Sequence, residues 1–235
     1  MLKLFNKKTK DYELLRNDVI LIGTTKLHRI HALRDVNDTV RAGDLGGYVQ
    51  CTDNLDASHG AWVYGKAQVY GEAQVYGEAQ VCGEAQVYGK AQVYGEAWVY
   101  GEALVYGEAR VYGEAQVCGE AQVYGKAQVY GEAQVYGEAL VYGEARVYGE
   151  ARVYGEVLCR NNDIIDYPIY TVKIHNLYNV SVLKDTVHIG CQTFKLKDIL
   201  TKSKKLARQF NISEKDRKLY KSIVKLGVLY YETFK

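Results

Sequence analysis

Proline is nearly missing from this chain, with Pro168 its single instance, and phenylalanine is scarce, at four residues against 22 tyrosines. An ordinary globular chain does not use Tyr five times as often as Phe, and such a bias points to a repeat. Cysteine is sparse as well: Cys51, Cys82, Cys118, Cys159 and Cys191 make an odd set with no C-x-x-C pair. That excludes a disulfide framework and a zinc site, and it fits a reducing, cytoplasmic compartment. No apolar run approaches the roughly 20 residues of a bilayer span. The longest near the start is Val19 to Ile22, and no apolar stretch follows the opening lysines as a secretory leader requires, so no membrane is expected. Charge of neither sign dominates, the net being +2 over 235 residues, a length that suits one large domain or two small ones. G-x-S-x-G, P-loop and H-E-x-x-H signatures are all lacking, so no catalytic residue, cofactor or metal is expected.

What is there is a hexapeptide array. From Trp62 to Leu158 the consensus is V-Y-G-E-A-Q, with Val at position 63 and every sixth residue to Val153, which makes 16 hexads. Gly follows two places later in all 16, Tyr follows Val in all but Cys82 and Cys118, and Lys66, Lys90 and Lys126 replace the usual Glu. Six residues do not return to one face of a helix at 3.6 per turn. As a strand, each hexad puts Ala67 and Val69 on one side and Gln68 and Tyr70 on the other. The Gly-Glu pair then turns a corner, Gly being the residue that tolerates positive φ. One hexad cannot bury its Ala/Val face alone, but stacked coils can. The expectation is a parallel β-solenoid, its interior Val and Ala throughout.

The segment 81–115 recurs at 117–151 with one change, Trp98 against Gln134, compatible with two coils of three hexads or three coils of two. With three per coil, one corner column alternates in charge (Glu72, Lys90, Glu108, Lys126, Glu144) and another is wholly acidic, from Glu78 to Glu150. The outward residues form tyrosine ladders: Tyr70, Tyr88, Tyr106, Tyr124, Tyr142 on one face and Tyr76, Tyr94, Tyr112, Tyr130, Tyr148 on the next. The third face is interrupted by Cys82 and Cys118 and flanked by Trp62 and Trp98. Such ladders stabilise a sheet through ring contacts, and an aromatic surface is also a place for a partner. Trp62, Trp98, Tyr70, Tyr88, Tyr106 and Tyr124 are therefore candidate contact residues.

Charge divides the chain into three. Residues 1–61, strands and a solenoid cap, carry net +1; the solenoid, 62–158, carries −7; the α+β tail, 159–235, carries +8. The N-terminal segment reads as strands over Tyr12–Leu15, Val19–Ile22 and Leu27–Leu33, then an irregular first coil through Asp44-Leu-Gly-Gly-Tyr-Val and Asp53-Asn-Leu. The tail reads as three short strands (Ile169–Ile174, Val180–Leu183, Val187–Ile189), with turns at Asn176 and Lys184-Asp185, then two helices. The first, about 196–210, sets Leu196, Ile199, Leu200, Leu206 and Phe210 against a basic face that includes Lys197, Lys202, Lys204, Lys205 and Arg208. The last four are candidate contacts for an anionic partner or nucleic acid. The second helix begins at the N-cap Ser213 and places Leu219, Ile223, Leu226, Val228 and Tyr230 toward one side.

The stretch Ile30-His-Ala-Leu-Arg-Asp, Arg41-Ala-Gly-Asp-Leu-Gly-Gly-Tyr-Val, Asp53-Asn-Leu and Trp62-Val-Tyr-Gly, with Val187-His-Ile-Gly-Cys-Gln-Thr-Phe later, resembles the YdcK-type hexapeptide-repeat proteins of bacteria and their phages. The resemblance implies a left-handed parallel β-helix with three hexads per coil. Members are labelled acyltransferases on fold alone, which is analogy. Such enzymes use a His base, and of His28, His31, His59, His175 and His188 none lies in the hexads. His59, nearest the array, reads as a polar cap residue. The expected function is a non-enzymatic structural or protein-interaction module, with self-association open to it. The alternatives are an acidic mimic of DNA that binds a DNA-binding or defence protein, and an acyltransferase.

Overall fold

Every hexad folds alike because its six residues have separate tasks. In the computed structural model, which describes residues 11–155, 157–159, 163–166, 169–172, 180–183, 185–190 and 192–232, the strands are short pairs such as Gln68–Val69 and Leu104–Val105. Val and Ala point inward, wholly buried at nearly every rung, while Gln and Tyr point out. The hexad glycines then take φ between +61° and +74°, turning the chain through a corner where an L side chain is strained.

Pairing settles the coil count. Val69 lies beside Val87, and Val105 lies between Val87 and Val123, always 18 residues apart and parallel. Three hexads therefore make one coil, and the solenoid has three flat faces and about six turns. Backbone bonds join rung to rung, as from the Tyr70 amide to the Val87 carbonyl at 3.0 Å. The corners are tied too, the Glu84 amide donating to the Gly101 carbonyl at 2.8 Å.

The first coil is irregular. Strand β1 (Tyr12–Ile22) pairs antiparallel with β2 (Thr25–Ala32), and β2 with β3 (Leu45–Val49), which begins the parallel stack by lying beside Gln68–Val69. The two N-terminal apolar runs are one strand, its register shifted between Leu14 and Val19. Gly46 and Gly47 let β3 pass close: a Cβ would stand 2.5 Å from the Ile30 side chain at the first and 2.5 Å from the Ala67 carbonyl at the second. Buried Asn54 donates to the carbonyls of Gly71 and Ala73, and the Tyr12 hydroxyl to that of Leu55 at 2.8 Å.

At the other end the hexad pattern decays while the stacking continues, with Cys159 beside Val141 and Ile165 beside Val147. The tail holds a four-stranded antiparallel sheet, 170–172, 180–182, 186–189 and 192–195, and helices α1 (Leu196–Gln209) and α2 (Glu214–Glu232). The fourth strand, Gln192–Lys195, adds to the three read from sequence; Ile174, Asn176 and Lys184 lie outside the described residues. Ser213 caps α2 as expected, accepting from the Asp216 amide at 3.1 Å. The buried stripe of α2 is Tyr220, Ile223, Val224 and Gly227, one residue round from the expected side, and Leu219 and Leu226 are exposed. Tail and solenoid meet where His188 lies 2.8 Å from the Leu158 carbonyl through Nδ1 and 3.4 Å from Asp163 through Nε2.

Because coils are modular, deletion of residues 81–116 removes two whole turns and joins Gln80 to Val117 in register. The variant is expected to fold with an unchanged circular-dichroism spectrum in a rod shortened by about 10 Å, measurable by small-angle scattering. An unfolded variant would contradict the 18-residue module.

Candidate interaction faces

The strand alternation forces Tyr outward, and the 18-residue coil stacks each Tyr on the one above. Rings of the Tyr70 to Tyr142 ladder are 4.8–5.1 Å apart with planes within 6° of parallel. Those from Tyr76 to Tyr148 are 4.9–5.1 Å apart and within 9°. The rings show their edges and hydroxyls to solvent, with their faces against one another. Tyr70, Tyr106 and Tyr112 reach across to donate to Gln86, Gln122 and Gln128, at 3.3–3.4 Å. Burial pushes the phenols of Tyr70, Tyr76, Tyr88, Tyr106, Tyr112 and Tyr124 above their ordinary values, so they stay protonated at neutral pH.

The third face is broken. Cys82 and Cys118 leave Tyr100 without a stacked ring among the described residues, where the close pair on this face is Tyr136 with Tyr154, at 5.5 Å. A hydrogen bond with the Cys118 thiol, then burial, pushes the Tyr100 phenol up to about 12. Burial raises the Cys82 thiol too, the reverse of an activated nucleophile. Trp98 stands 45% exposed beside Tyr100. Trp62 does not: it is buried, packed edge-on against Tyr12 at 6.0 Å, and is removed from the candidate surface.

The corners differ from one another. Lys66 pairs with Glu84 at 3.0 Å. In the alternating column neither Lys90 nor Lys126 comes within ion-pairing reach of a glutamate among the described residues. That column works at most through the general field, which salt screens. Along the wholly acidic corner runs an open groove of about 670 Å³, lined by the glycines from Gly77 to Gly149, the glutamates from Glu78 to Glu150 and, at its end, His59. Sequence reading finds the acidic column but not the groove, because glycine's missing side chain leaves space only once the coils are stacked. His59 is exposed on a short turn, its Nδ1 2.9 Å from the Ser58 hydroxyl, far from an enclosed site.

On α1, Lys202, Lys204, Lys205 and Arg208 are all exposed. Asp198 holds Lys202 at 2.9 Å, and the helix geometry is interrupted at Lys202. Among the described residues the main contacts of α1 are with α2 and the tail strands 186–189 and 192–195, apart from the ladder of Tyr70 to Tyr124. Among the described residues no group of three or more His, Cys, Asp or Glu could hold a metal ion, and no helix is long and apolar enough to cross a membrane.

Three parallel faces of near-identical hexads, with a filled interior and chemistry confined to outward ladders, define a β-solenoid repeat protein. Residues 133–149 match the family model of the YdcK beta solenoid repeat, and the chain fits a YdcK-type repeat protein. Comparison with curated proteins finds no match.

Proposed function

We propose that the protein is a non-enzymatic structural or protein-interaction module, a rigid rod that works in the cytoplasm and presents its faces and tail to a protein partner. The observation that carries this reading is the filled interior: Ala and Val are wholly buried at rung after rung, leaving no internal space for a substrate. Left-handed winding belongs to the same proposal and is supported by the hexapeptide resemblance. A second reading, the acidic mimic, is favoured by the five glutamates from Glu78 to Glu150, which have no ion-pair partner among the described residues. Like charges stacked on adjacent rungs cost stability, and a partner's cations would offset that cost.

Affinity capture from bacterial lysate with the full chain separates the readings. The module reading expects a protein retained at low and high salt and lost in a Trp98→Ala variant, or in one with Lys204, Lys205 and Arg208 changed to Glu. The mimic reading expects capture abolished by high salt and by Glu96, Glu114 and Glu132→Gln together. Turnover of an acyl-CoA by the pure protein would overturn both.

A further inference from the structure

We propose that the two unbroken tyrosine ladders are sites of oxidative cross-linking, at which a one-electron oxidant joins neighbouring rungs of the solenoid through dityrosine. Coupling two tyrosines requires two phenoxyl radicals side by side, ordinarily a rare encounter. Here five rings in each ladder are held 4.8–5.1 Å apart and nearly parallel, so the same ortho carbon of each ring faces its counterpart on the next. Holding reactants in place replaces a bimolecular encounter with a local one. The outward ring edges leave hydroxyls and ortho positions open to a small oxidant. The close spacing also lets an oxidised site migrate along the ladder until it meets a second.

The chemistry balances simply. Each phenol gives one electron to the oxidant and its hydroxyl proton to water. The two radicals form one bond between ortho carbons, and the hydrogens on those carbons move to the oxygens, restoring both phenols. The net change is two electrons and two protons lost for each cross-link. If each ring couples once, a five-ring ladder accepts at most two cross-links. The third face is an internal control: Cys82 and Cys118 separate its rings, leaving among the described residues of that face one adjacent pair, Tyr136 and Tyr154.

The test treats the full-length protein with photogenerated ruthenium(III) tris-bipyridine, persulfate taking up the electrons, and follows dityrosine fluorescence, gel mobility and tryptic peptides. Expected are a monomeric product, a mass loss of two hydrogens per cross-link, and joined peptides such as 67–90 with 91–110, through Tyr88–Tyr106 or Tyr76–Tyr94. Initial formation should be roughly tenfold faster than in the guanidinium-unfolded chain. A variant with Tyr88, Tyr94, Tyr124 and Tyr130 changed to Phe keeps all the stacked rings but no neighbouring phenols in either ladder. None of these four hydroxyls donates to a side chain among the described residues, and folding is checked by circular dichroism. Its cross-linking should fall to that of the tyrosines outside the two ladders, Tyr136, Tyr154 and the nearby Tyr230. Equal rates in folded and unfolded chains, products only between molecules, or an undiminished yield in the folded Phe variant would each overturn the proposal.

Discussion

Val105→Asp is expected to abolish the cooperative unfolding of the solenoid near the middle of the rod, costing at least about 4 kcal/mol. Val105 is wholly buried between Val87 and Val123 and shares the interior with the Ala columns. A carboxylate there finds neither water nor a donor, because the backbone amides around it are already spent on the rungs above and below. Tyr106→Ser, one residue on, should cost much less, roughly 1–2 kcal/mol. It removes stacking on Tyr88 and Tyr124 and a long hydrogen bond to Gln122, but it leaves the core filled. Urea denaturation followed by circular dichroism ranks the two; a larger loss from the Tyr change would reverse the assignment of inside and outside.

Gly107→Ala should be nearly as severe as a core lesion although it adds one methyl at an outer corner. Gly107 has φ +72°, and a Cβ there would stand 3.0 Å from the Gly125 amide nitrogen and 3.2 Å from its carbonyl oxygen. The left-handed conformation costs an alanine about 1–2 kcal/mol. The contact then forces two rungs apart at a corner where the Glu108 amide donates to the Gly125 carbonyl, for a total of roughly 3 kcal/mol. Gly155→Ala separates the two effects. Its φ is +71° yet a Cβ meets nothing within 4 Å, so it should show the conformational part alone. Equal shifts in denaturation midpoint for the two variants would mean that spacing between rungs imposes nothing on the corner.

The hexads were legible because each position has one task repeated 16 times, so a single periodic reading finds the Val/Ala interior and the Tyr ladders together. The coil count was open, since the 36-residue duplication fits coils of two hexads or three, and the Val69–Val87 pairing decides it. What sequence could not give depends on contacts between distant segments. Trp62 reads as surface in its hexad and is buried in the N-terminal cap, with Tyr12 packed edge-on against it. Gln192–Lys195 is a strand without an apolar run, held by pairing with Thr186–Ile189. The stripe of α2 turns on buried Gly227 and on Tyr220, which clusters with Val180, Val182 and Val187 of the tail sheet and Ile199 of α1, a placement hydrophobic periodicity does not give. The phenol-to-Gln hydrogen bonds join residues 16 apart, an offset with no meaning until strands are placed side by side.

The irregular first coil has a consequence for how the chain finds its structure. Interchangeable hexads carry no address: slipping the array by a whole turn would exchange one set of Val contacts for an identical one. Asn54 bridging Gly71 and Ala73, the Gly46-Gly47 passage beneath Ile30 and the Tyr12 ring on Trp62 occur once each. They act as the origin of a ruler, fixing which hexad is counted first. Since this segment leaves the ribosome ahead of the array, assembly should proceed as a templated winding from the N-terminal cap, each turn laid on a finished one. Damage to the cap would then be felt as mistaken counting, a population of misaligned rods, more than as lost strength.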